Sequence, residues 1–327
     1  MPNLAPLEDE VVKALEKKIV MTERQTTAIL QKALKEIRGE MATFYTKYSK
    51  GGILTKVEMT QYNRYVTLEK HIMDILNEAT NKIKSSIKRL PGNVYEEGFF
   101  RTAWAMDQAT ELSLSWGILN KEVIVETLAN DFFLISLDKY GPAARNAVKT
   151  AIAHGLSLGK SFIQMSKDLA KALSLANYEA LRIIRTEGMA ALNAAMNDIY
   201  LLSKEQGVEG NMVWDATLDA KTRPVHGAAD GIFKKKDGYF HLPDGDKGQY
   251  PGSFELSAAN RVHCRCRERF QILGYSPALR RAKEEGIIPY QNYMDWVKNY
   301  GPKIKGKTII QSHIRAQVLA AKNKRRS

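Results

Sequence analysis

The sequence predicts an α+β protein: a mostly helical N-terminal half, then a compact mixed α/β domain with short strands, then a basic C-terminal tail. Three observations carry this. Apolar residues recur at spacings of three and four through about the first 200 positions. From Gly207 the style changes, with Gly, Pro, Asp and Lys dense between short apolar runs. Of the formal net charge of +13, +9 lies in residues 271–327, which hold 12 basic and 3 acidic side chains.

From Pro6 to about Leu90 the apolar positions Val11, Val12, Leu15 and Ile19, then Ile29, Leu30, Leu34 and Ile37, mark one face of a helix. A long helical hairpin or bundle is predicted. Gly51-Gly52 marks a break in it, and Leu90-Pro91-Gly92-Asn93 marks a second, because Pro and Gly stop helices. Val94 to about Ser203 is again helix-rich, with helices over Asp131–Ala153 and Asn177–Leu202; Gly141-Pro142 is expected to interrupt the former and start a new helix. Residues 1–206 thus form a helical region whose long apolar stripes suit docking to a protein partner.

Residues 207–275 form the compact domain, with strands at Met212-Val213-Trp214 and Gly238 to Leu242. Lys234-Lys235-Lys236 lies between turn glycines and is expected to be a solvated loop tip. Residues 276–327 hold a helix-like segment, Pro277–Glu285, and an aromatic segment, Tyr290–Tyr300, in which Tyr293, Trp296 and Tyr300 have the spacing of a packed helix face. The last stretch, Thr308–Ser327, reads as an amphipathic basic helix or a mobile arm, with Lys322, Lys324, Arg325 and Arg326 at its end.

Composition narrows the function classes. With 327 residues, 44% hydrophobic and 26% charged, the chain can bury a core. Cys264 and Cys266, one residue apart, cannot supply a disulfide framework and fit a reducing compartment. Glu8, Asp9 and Glu10 stand where a signal peptide needs positive charge and an apolar run, so no secretion signal is expected. No apolar stretch has the length of a spanning helix, so no membrane partner is expected. By segment, residues 1–90 carry +5, 91–200 carry −2 and 201–270 carry +1. The charge is that of a basic arm beside a near-neutral body, which fits non-specific contact with DNA phosphates.

An ordered motif series runs through the compact domain: Trp214-Asp215, Asp219, Thr222-Arg223, His226, Asp230-Gly231, Pro251 and His263-Cys264-Arg265-Cys266, preceded by Arg185-Thr186-Glu187. As a series these residues resemble the phage head morphogenesis family, the phage Mu F-like minor head proteins. The resemblance is strongest from about Arg182 to Phe270, roughly a third of the chain, and there Arg185, Glu187, Trp214, Asp219, Thr222, Arg223, His226, Asp230, Gly231, Pro251, Cys264, Arg265 and Cys266 match the family motif. Two positions depart: Lys221 stands where the family often has Arg, and His263 where Asn is usual. The resemblance implies a minor capsid protein of a tailed phage, held in the virion head near the portal and in the host cytoplasm during assembly. Its implied partners are the portal protein and phage DNA, with scaffolding or major capsid protein as further candidates. It implies no established enzyme activity, although related modules occur fused to toxin domains.

The residues admit several chemistries. A strand over Val262–Phe270 would turn Val262, Cys264, Cys266, Glu268 and Phe270 to one face and His263, Arg265, Arg267 and Arg269 to the other. The arginines would then face outward as DNA-phosphate contacts, or else pair with local carboxylates such as Asp215, Asp219 and Asp230. Cys264 and Cys266 with His226, His241 or His263 offer soft zinc ligands. Their one-residue spacing is tighter than structural zinc sites usually have, so small buried thiols and no cofactor are the favoured expectation, with zinc as the alternative. Asp219, Arg223, His226 and His263 would form a nuclease or transferase site if they converged, with His226 as general base and Arg223 on a phosphate. The competing expectation is a turn followed by a short helix, in which Asp219 and Thr222 cap backbone amides and Arg223 bridges to a carboxylate. That expectation is preferred, and no catalytic residue is assigned.

Overall fold

The computed structural model describes residues 4–60, 63–117, 128, 130–274, 279–282 and 285–300. The basic tail, with Lys322, Lys324, Arg325 and Arg326, lies outside the described residues. The helical half consists of α1 (Leu4–Tyr48), α2 (Lys56–Thr60), α3 (Arg64–Thr110), α4 (Asp131–Ser157) and α5 (Phe162–Glu205). Most of the stripe read from the sequence is buried: Val11, Val12, Leu15, Ile19, Leu30 and Ile37 are in the core, while Ile29 and Leu34 are half-buried. None of these helices is long and apolar enough to cross a membrane.

The Gly51-Gly52 break is present, because both residues take positive φ (57° and 77°), which glycine adopts without steric cost. Two expected breaks are absent. Helix α3 runs unbroken through Pro91, and α4 through Pro142. A proline in a helix interior removes one hydrogen bond and clashes with the preceding turn, a cost of about 3 kcal/mol. Around Pro91 the side chains of Ile83, Ile87, Leu90 and Val94 are buried. Each contributes roughly 1.5–3 kcal/mol on burial, so packing outweighs the lost bond. Leu137, Tyr140, Ala144 and Val148 do the same around Pro142. The start of α4 is instead set at Asn130, whose side-chain oxygen accepts from the Phe133 amide at 3.0 Å as an N-cap.

By compactness the chain divides into two units. One comprises Ile19–Leu90 and Ala129–Ile184; the other comprises Met1–Lys18, Pro91–Leu128 and Arg185–Ser327. The punctuation at Leu90-Pro91 therefore marks a division between units, not the end of a helix.

Beyond α5 the secondary structure changes as the sequence indicates. Strand β1 (Gly210–Asp215) pairs antiparallel with β4 (Arg267–Ile272), setting Met212 opposite Phe270, Val213 opposite Arg269 and Asp215 opposite Arg267. Between them come the short helix α6 (Pro224–Ala228), the hairpin of β2 (Phe240–His241) and β3 (Lys247–Gly248), and the short helix α7 (Ala258–Arg261). Trp214 is buried at the centre, with the rings of His226 and Phe240 edge-on to it at 5.4 and 5.6 Å.

After β4 the expected helix over Pro277–Glu285 is corrected. Its described part, β5 (Leu279–Ala282), is a strand paired with β6 (Gly286–Pro289). The physical reason is tertiary: extended backbone lets the buried Arg280 reach Asp215 and Asp230 at 2.8 and 2.7 Å. Helix α8 (Tyr293–Tyr300) buries Tyr293 and Trp296, as their spacing indicates.

Candidate functional site

The motif residues gather in the second unit around the β1–β4 pair, and most of their charge is compensated inside it. Arg265, Arg267 and Arg269 do not form an outward row. The strand begins only at Arg267, because α7 precedes Val262 and His263 adopts a positive φ of 56°. The side chains of Arg267 and Arg269 are 13% and 6% exposed, and each is paired with both Asp215 and Asp9. Arg265 forks onto Asp219, its second nitrogen lying 2.8 Å from Oδ1. Pairing with local carboxylates, the alternative raised by the sequence, is the arrangement found.

Asp215 is the hub of this network. Burial alone would raise the pKa of its carboxyl, but Arg269, Arg280 and Arg267 outweigh it and hold the carboxyl well below the usual carboxylate range. Asp230 accepts from the Ala216 amide at 2.7 Å, from the Tyr293 amide at 2.6 Å and from Arg280 at 2.7 Å. Arg280 also donates to the Ala216 carbonyl. Two aspartates and three arginines thereby tie β1, β4, β5 and the start of α8 together.

The segment from Asp219 to His226 is a turn followed by a short helix. Asp219 accepts from the Lys221 amide at 2.9 Å, while Thr222 donates to Asp219 and to the Thr217 carbonyl. One detail is corrected: Arg223 donates to the Val262 carbonyl, not to a carboxylate. The four residues weighed for catalysis are each engaged with other groups. Asp219 is joined to Arg265, Arg223 to Val262, and His226 to Asn260 and the cysteines, while the His263 amide donates to Thr186.

Of the two motif residues on α5, Glu187 is a structural anchor. Glu187 receives both bonds of a fork from Arg261, each 2.8 Å, and both side chains are buried. Arg185 is exposed. Pro251-Gly252 passes against α5, where Gly252 takes a φ of 86° and a Cβ at that position would meet Ala190 Cα at 3.4 Å.

Several residues central to this packing carry no motif signal. Asn193 donates to the carbonyls of Pro251 and Cys266 and accepts from the Glu268 amide. Its one sequence cue is that it is a polar residue in the apolar run Ala190-Ala191-Leu192-Asn193-Ala194-Ala195. Arg261 and Arg280 look like ordinary surface arginines in the sequence. Lys234, expected at a solvated tip, is instead buried 2.6 Å from Glu268.

His226, Cys264 and Cys266 are brought together by folding. Their side chains are all buried, and their donor atoms lie within 4.8 Å of one another, the group among the described residues able to hold a metal ion. His226 Nδ1 is 3.3 Å from Cys266 Sγ and 3.7 Å from Cys264 Sγ. The other two histidines considered are elsewhere: His241 pairs with Asp237 at 2.7 Å, and His263 sits in the turn before the cysteines.

Comparison with known proteins agrees with the motif reading. Residues 146–269 match the family described as Phage Mu protein F like protein. The chain is 29% identical over 305 residues to the minor head protein GP7 of Bacillus phage SPP1, covering 89% of this chain and 96% of that protein. It is 25% identical over 280 residues to the NAD(+)--arginine ADP-ribosyltransferase EFV of Enterococcus faecalis, covering 84% of this chain and 56% of that protein. The chain thus spans about half the length of the second relative. No solved structure matches it significantly.

Proposed function

The chain belongs to the phage head morphogenesis family, and from that premise we propose that it is a minor head protein of a tailed bacteriophage, associated with the portal and in contact with the genome. The observation that carries the reading is the near end-to-end similarity to one minor head protein, 89% of this chain against 96% of the relative. Its place would be the virion head interior near the portal, reached from the host cytoplasm during assembly. Scaffolding or major capsid protein would be further partners.

The long helices support the protein-docking part of this function, because they can present rigid stripes to a partner. The charge distribution supports the DNA part. Arg265, Arg267 and Arg269 are engaged with carboxylates. Phosphate contact is therefore assigned to the C-terminal arm, with Lys322, Lys324, Arg325 and Arg326. Such an arm neutralises phosphates without reading sequence and serves packaging or ejection equally.

Co-expression with the portal protein of the same phage tests this function. Co-purification of the two through affinity and size-exclusion steps is expected. Failure to co-purify, with both proteins folded, overturns it.

A catalytic function has one observation in its favour, the similarity to the Enterococcus transferase. Against it stand the 56% coverage of that protein and the engagement of Asp219 with Arg265, of Arg223 with the Val262 carbonyl and of His226 with Asn260. Incubation with DNA and RNA, with and without divalent metal, decides the nuclease form. Cleavage that is lost in His226→Ala would favour catalysis over assembly.

A further inference from the structure

We propose that His226, Cys264 and Cys266 bind a zinc ion that pins α6 to the segment entering β4. The first argument is distance. A tetrahedral zinc with Zn–S about 2.3 Å and Zn–N about 2.0–2.1 Å sets its sulfur and nitrogen ligands about 3.5 Å apart. The two N···S separations here, 3.3 and 3.7 Å, bracket that value. All three side chains are buried, with exposures of 2%, 3% and 2%.

The second argument is the tautomer. Asn260 Nδ2 donates to Asp244 at 2.8 Å and Asp246 at 2.9 Å, which fixes the amide so that Oδ1 faces His226. That oxygen lies 3.2 Å from His226 Nε2 and can only accept, so Nε2 carries the hydrogen. Nδ1 is therefore a bare lone pair aimed at two sulfurs. A ring nitrogen held by a fixed partner on its far side is the usual support of a metal-bound histidine.

The third argument is proton count. A bare imidazole nitrogen has one lone pair and accepts one thiol hydrogen well. Two thiols converging on it can be satisfied only in series, one donating to Nδ1 and the other to its neighbour's sulfur, a weak acceptor, whereas two thiolates and the imidazole share one cation directly. The tight Cys-x-Cys spacing is no obstacle. In an extended segment, residues two apart face the same side, and both sulfurs do reach the same nitrogen. The chain supplies three ligands, and a solvent molecule would complete the fourth position.

The protein purified without chelator should contain close to one zinc per chain by mass spectrometry of the metal. After zinc removal under reducing conditions, added cobalt(II) should give thiolate-to-cobalt charge transfer and the visible bands of tetrahedral cobalt at one equivalent, both abolished by zinc. Asn260→Ala should weaken zinc binding roughly 10–100-fold in competition with a chromophoric chelator, as loss of a support to a ligand does elsewhere. The cobalt spectrum uses the unaltered chain, so it decides even if a variant misfolds. Folded protein that carries no zinc and gives no charge-transfer band with excess cobalt overturns the proposal.

Discussion

Arg261 meets Glu187 in a two-pronged ion pair, 2.8 Å on each prong, between α7 and α5, and both side chains are buried. The two residues are 74 positions apart, and only Glu187 belongs to the recognised motif series. Removing one partner strands a charge without solvent, at a cost of about 3–5 kcal/mol. Arg261→Ala should show that loss in urea unfolding. The double change Arg261→Met with Glu187→Met should be less destabilising than Arg261→Ala, since no lone charge is left buried. Additive losses would contradict the pairing.

Acidity should stabilise this protein locally. Burial outweighs the pull of Arg269, Tyr200, the Phe270 amide and Arg267 and lifts the Glu8 carboxyl from 4.5 to about 7. Burial likewise outweighs Lys234 and lifts Glu268 to about 7. Both bind a proton more tightly folded than unfolded. Their contribution is complete below about pH 4.5 and is lost as the pH rises through 7, each on the order of 3 kcal/mol at most. Thermal unfolding should therefore shift to lower temperature between about pH 5 and pH 7.5, and the shift should shrink in Glu8→Gln, which keeps an oxygen for Tyr200 and Phe270. Asp215 works in a different window, stabilising at pH values above its unfolded pKa and losing that effect in stronger acid.

Gly252 should resist substitution for a backbone reason. At φ 86° a side chain is strained wherever its atoms point, and the nearest atom to an added Cβ, Ala190 Cα at 3.4 Å, is in ordinary contact. Gly252→Ala should cost about 1–2 kcal/mol. Ala190→Gly should not restore it, which separates backbone strain from crowding in a denaturation series.

Deleting Thr308–Ser327 should weaken DNA retention at low salt and flatten its salt dependence, with the circular dichroism spectrum preserved. Equal binding by the truncated and full chains across a salt titration would remove the arm from the DNA contact.

Helices, the change to short strands near Gly207 and the packing face of α8 were legible because periodicity and local turn chemistry act within a few residues. The stops expected at Pro91 and Pro142 are absent. Local cost was visible there, while the burial that outweighs it is set by distant side chains. The expected helix over Pro277–Glu285 failed for the same reason: Arg280 is held by Asp215 and Asp230.

The sequence by itself determined the family motif, its order along the chain and the uneven charge, since these are properties of residue identity and spacing. Tertiary structure alone decided what the motif residues touch. It turned the arginine row of Arg265, Arg267 and Arg269 inward onto Asp219, Asp215 and Asp9. It brought His226 across 38 and 40 positions to two cysteines, and left His263 in the turn beside them. Charge pairing in a buried setting depends on which partner is within a few ångströms, and that distance is fixed by packing rather than by spacing in the chain.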